Sequence, residues 1–86
     1  IPPGTELLWA KTDDNICTLN FTQDFLIHIP KDGVKERLTV YAIVNSITSI
    51  DGIEYVKFLI DSKEYDKLYS VKVKEPLAPD HTLVIE

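Results

Sequence analysis

A single cysteine, Cys17, occurs in the 86 residues, so no intrachain disulfide can form. A lone cysteine inside an alternating apolar pattern reads as a small core hydrophobe rather than a reactive thiol. Methionine is absent, and the three glycines stand far apart. That spacing excludes a glycine-rich phosphate loop and a serine nucleophile elbow. The two histidines, His28 and His81, are distant in sequence and have no cysteine at ligand spacing. They offer no recognisable metal set. No zinc-hydrolase helix motif appears either. Asp13, Asp14 and Asn15 fall short of the shaped oxygen-ligand loop that calcium requires. Basic residues are also scarce, with nine Lys and Arg against fourteen Asp and Glu and a net charge of −5. Such a chain gains nothing from a phosphate backbone, so nucleic acid is not an expected partner. No apolar run approaches the roughly 20 residues of a membrane span. These absences leave no nucleophile–base pair, no metal and no cofactor, and predict a non-enzymatic chain; the rival class is a fragment of an enzyme.

What remains is an ordinary globular composition, 44% hydrophobic, in one small domain covering residues 1–86. The segment TELLWAKTDDNICTLNF predicts a β-hairpin, with arms at about 6–12 and 16–21. Asp13, Asp14 and Asn15 supply the turn, because short polar side chains tolerate left-handed backbone. Cys17, Leu19 and Phe21 alternate with Thr18 and Asn20 and should face the core, joined by Leu8. Trp9 is expected on the opposite face, at an edge. The next stretch, TQDFLIHIPKDG, predicts an irregular connection. Thr22 is placed to cap a short turn, Phe25 with Ile27 or Ile29 returns to the core, and Pro30 blocks any through-running helix.

RLTVYAIVNSITSI has too many adjacent apolar residues for a two-residue repeat. A helical period fits: Val40, Ile43 or Val44, and Ile47 share one face. The spacing predicts a helix over about 34–51, started by Asp32 or nearby backbone and stopped at Gly52. Its many β-branched residues each lose a few tenths of a kcal/mol against alanine. Burial of one Ile or Val returns roughly 1.5–3 kcal/mol, so packing must hold this helix. Asn45 either bonds a neighbouring loop or faces solvent.

After Gly52, IEYVKFLIDSKEYDKLYS predicts a second β-hairpin. Val56, Phe58 and Ile60 point one way, Tyr55, Lys57 and Leu59 the other, and the return arm is expected at about 65–69. Pro76 and Pro79 mark an extended tail, and HTLVIE is either a last edge strand or a linker. The expected fold class is therefore α+β: an antiparallel or mixed sheet of two β-hairpins packed against one main helix. Trp9, Tyr55, Tyr65 and Tyr69 form the candidate interaction surface, with Tyr41 a further candidate for the same aromatic patch. Aromatic residues of this kind bind proteins or sugars, although they are also ordinary sheet residues.

IPPGTELL, NICTLNFTQDF, VYAIVNSITSIDGIEYVKFLIDSKE and VKVKEPLAPD together resemble the GerMN domain, the sporulation and spore germination module of Gram-positive bacteria. Asn20 and Thr22 stand where the family commonly has Asp and Ser, and Ser62 where it usually has Gly. The resemblance covers nearly the whole chain but begins after the family's first strand and helix, and so implies an incomplete GerMN domain of ring-building-motif-like fold. It implies no catalytic residues. It implies a protein-interaction or scaffold module of an envelope, sporulation or germination assembly, with other envelope proteins or self-association as partners. A wall-glycan or small-ligand module, taking peptidoglycan through Trp9 and the tyrosines, is the alternative. The implied location is extracytoplasmic, through an upstream signal or lipoprotein segment. The opening at Ile1, without an initiator methionine, reads as a processed or excised start.

Overall fold

The computed structural model describes residues 4–83, so Ile1–Pro3 and the end of HTLVIE lie outside the described residues. Its elements run β1 (Leu7–Asp13), β2 (Ile16–Phe21), α1 (Gln23–His28), α2 (Gly33–Thr48) and β3 (Tyr55–Ile60). The sheet order is β1-β2-β3. The pairing of β1 with β2 is antiparallel and that of β2 with β3 is parallel, so the sheet is mixed. Asp14 and Asn15 both adopt positive φ, at 49° and 64°, which is the two-residue turn that matches the twist of a hairpin. A parallel neighbour cannot be reached by a tight turn. Both helices belong to the crossover that carries the chain from β2 to β3.

One face of β2 and β3 makes the core. Cys17, Leu19 and Phe21 lie buried there beside Val56, Phe58 and Ile60. Phe25 and Ile29 arrive from the α1 region, and Val40, Ile43 and Val44 from α2. Phe21 stacks on Phe25 at 4.4 Å between ring centroids, and Phe58 lies 6.1 Å from each. Each of these rings, once buried, contributes roughly 1.5–3 kcal/mol. The α2 N-terminus is closed by Asp32, whose carboxylate accepts from Val34 N at 3.0 Å and Lys35 N at 3.3 Å. α2 ends at Thr48, earlier than expected, with Ser49 as its C-cap, and Gly52, at φ +90°, sits in a separate turn closed by Ile53 N to Ile50 O at 3.1 Å.

The α+β class holds, but the second hairpin does not form. Its turn is present: Asp61 and Ser62 have φ of 49° and 65°, and Ile60 bridges Lys63. Beyond it, Glu64, Asp66 and Lys67 supply no apolar alternation that could be buried on a strand. The outer edge of β3 is taken instead by Leu77, through two backbone hydrogen bonds with Val56 at 2.9 and 2.8 Å. TQDFLIHI is not wholly irregular, since Gln23–His28 forms a short helix that puts Phe25 into the core. Leu8 does not join the core. A bulge between Leu7 and Trp9 shifts the register there and leaves Leu8 49% exposed.

Candidate interaction surface

All seven residues of β1 are exposed. This is unusual, because its neighbour β2 is buried at four of six positions. Leu7 is 46%, Leu8 49% and Trp9 39% accessible. Scattered exposed apolar residues need no explanation, but three in a row on an edge strand do. The two sides of the open sheet face differ. On the β3 side, Lys57 donates to the Lys74 carbonyl and lies 3.3 Å from Glu64, so the chain after β3 wraps over it. On the β1 side, Lys11 sits over the Trp9 ring at 5.7 Å from its centroid. No comparable contact covers β1 among the described residues.

The four predicted surface residues divide. The register puts Trp9 beside Asn20 and Leu59, and Tyr55 beside Ile16 and Asp13. Residues in one row point to one face, so Trp9 and Tyr55 share the sheet face opposite the helices, at different ends of it. Tyr65 packs against the core, with its hydroxyl 3.4 Å from Gln23 Nε2. Tyr69 is exposed in the irregular chain after β3. Tyr41 lies on α2 beneath Arg37, whose guanidinium is 5.3 Å from its ring centroid. Cys17 is buried, and His28 and His81 are exposed and separate. No cluster of three or more His, Cys, Asp or Glu residues able to hold a metal is present among the described residues.

Three polar side chains hold the irregular residues 61–80 in place. Asn20, fully buried, accepts from Ser62 N at 2.7 Å and donates to Ser62 Oγ at 2.9 Å. Asn45 bonds the Asp80 backbone in both directions, at 3.0 and 2.9 Å. Glu36, also fully buried, accepts from Ser70 N, Val71 N and the Ser70 hydroxyl. Burial pushes its carboxyl up, but the Ser70 hydroxyl and the surrounding backbone N–H groups outweigh this and hold it below the ordinary value of 4.5. Sequence reading foresaw the loop contact of Asn45 as one of two options and missed the other two anchors. The signal for Glu36 was its place one turn before Val40 on the apolar stripe.

The family model for sporulation and spore germination (Germane) matches residues 1–66. A crystal structure from Clostridium perfringens, described as that of a candidate lipoprotein, is similar over 90% of this chain, with a TM-score of 0.80 and 26% identity. The match takes up 51% of that protein, so the present chain spans about half its length. No curated protein matches.

Proposed function

This chain belongs to the sporulation and spore germination family, and from that premise we propose that it is a non-catalytic interaction or scaffold module of a bacterial envelope assembly that serves sporulation or germination. The likeness to a candidate lipoprotein supports an extracytoplasmic, envelope-attached setting. The observation that carries the reading is β1, an edge strand exposed along its whole length with Leu7, Leu8 and Trp9 open to solvent. An unpaired strand edge is a template for pairing with another chain. Its main-chain groups supply affinity and its alternate side chains supply selectivity. The partner on this reading is another envelope protein or a second copy.

Photo-crosslinking in the native cell tests this. A photoreactive residue in place of Trp9 should give discrete protein adducts, and one in place of Lys35, exposed on α2, should not. Equal labelling at both positions, or none at Trp9, refutes the reading. Co-sedimentation with purified peptidoglycan, abolished by Trp9→Ala, would transfer the assignment to a wall-glycan module.

A further inference from the structure

The edge of β1 carries information about which strand it fits. A two-residue turn makes its flanking pair, Asp13 and Ile16, the hydrogen-bonded kind, and the kinds alternate from there. Asp13, Lys11 and Trp9 therefore direct their amides to β2, while Thr12 and Ala10 direct theirs outward. An antiparallel partner must set outward residues opposite outward residues. For two copies of β1 this leaves registers centred on single residues, of which three lie near the middle of the strand.

Centring on Lys11 puts Lys11 against its own copy, a like-charge pair that destabilises a sheet. Centring on Trp9 stacks two indoles and runs at once into the bulge between Leu7 and Trp9. Centring on Ala10 sets Trp9, Ala10 and Lys11 against Lys11, Ala10 and Trp9, and the register shift between Leu7 and Trp9 ends the regular ladder beyond them. This centring places the smallest side chain of the strand on the two-fold axis and sets Trp9 opposite Lys11 twice. The Lys11 ammonium already lies 5.7 Å from the Trp9 ring within one chain, so the same cation–π chemistry extends across the axis.

We infer that β1 pairs with β1 of a second copy in the register centred on Ala10, giving a continuous six-stranded sheet with both sets of helices on one side. The inference rests on the interaction reading above and names its partner. The shared area is small for a stable complex, so association is weak and concentration-dependent. The bulge at Leu8 of each copy limits the pairing, once at each end, and keeps it from becoming open-ended aggregation. A two-fold contact of this kind is closed.

Sedimentation velocity on the whole chain up to about 1 mM should show reversible dimers, since even a weak complex is populated there. Ala10→Pro removes an outward N–H without touching a bond to β2, and should weaken dimerisation by roughly tenfold or more. In a Cys17→Ala background, Ala10→Cys should form an intermolecular disulfide under mild oxidation, because paired Cα atoms lie about 5.5 Å apart. Thr12→Cys should not, since two residues off the axis the copies are about 13 Å apart. A chain monomeric at 1 mM, or a dimer crosslinked equally well at both positions, overturns the inference. A monomer that still gives protein adducts at Trp9 overturns it while sparing the interaction reading. A dimer in solution that gives no adduct of any kind at Trp9 in the cell does the reverse.

Discussion

Asn20, Glu36 and Asn45 solve one problem with different chemistry. Residues 61–80 form no regular strand or helix, so their backbone groups need partners from elsewhere. Each of the three side chains lies on a regular element and meets a loop with two or more hydrogen bonds. Glu36 has most at stake, because it is an ionisable group with no exposed surface. In Glu36→Gln an amide –NH₂ must replace one oxygen among donors, so we expect a loss of about 1–3 kcal/mol, read from the midpoint of urea unfolding at pH 7. The pH dependence follows from the depressed folded-state pKa. Below the ordinary 4.5 the unfolded chain binds the proton first, so stability rises with pH through this range. The contribution is complete above 4.5 and drains away as pH falls through the folded value. The wild type should therefore lose more stability than Glu36→Gln between pH 6 and about 3. Parallel curves for the two proteins would show that the carboxylate is not what the loop depends on.

At the scale of elements, the cap that starts α2 and the glycine turn that follows its C-cap, Ser49, are local devices that can be removed separately. Asp32→Ala frees Val34 N and Lys35 N and should destabilise the fold by about 1 kcal/mol. Gly52→Ala meets nothing within 4 Å, so its effect is purely that of a side chain at φ +90°, about 1–2 kcal/mol. Thermal unfolding of both variants and their combination should be additive, because the sites sit at opposite ends of the helix. The Asp32 start was legible in the sequence, as were the alternation of Cys17, Leu19 and Phe21 and the apolar stripe of α2, because each is written in residues adjacent to its effect; the stop reads too late there, at Gly52 rather than after Thr48. The hairpin expected after β3 shows where such reading stops. Asp61 and Ser62 make the same left-handed turn as Asp14 and Asn15, but turn chemistry fixes only two residues. Whether a strand follows depends on what competes for the edge of β3, and Leu77, distant in sequence, wins it. The candidate surface divides likewise. Trp9 was readable as an edge residue. Tyr65 was not readable as core-packed, because the buried cluster it packs against is assembled from residues distant in sequence.

For the molecule as a whole, stability should be uneven. The core lies between one face of β2 and β3 and the two helices, and β1 is attached to it only through its pairing with β2 and the turn. A strand with seven exposed residues buries little apolar surface, so its opening forfeits little hydrophobic free energy and exposes few groups. Segments of this kind open sub-globally, well below the free energy of global unfolding. Native-state hydrogen exchange should find the β1 amides, and those of Ile16, Thr18 and Asn20 bonded to them, exchanging through such an opening, while the β2 amides directed at β3, those of β3 and the buried turns of α2 wait for global unfolding. Within β1 the order should alternate at low concentration: Ala10 and Thr12, with amides directed outward, exchange fastest, and Trp9, Lys11 and Asp13 are slowed by β2. Raising the protein concentration separates the two accounts of the exposed edge. If copies pair through β1, protection should appear at Ala10 and Thr12 and spread to the rest of the strand, because pairing must be lost before β1 can leave β2. Protection at Ala10 and Thr12 that stays flat across the concentration range, with the alternation intact, would mean that the edge is reserved for a different strand.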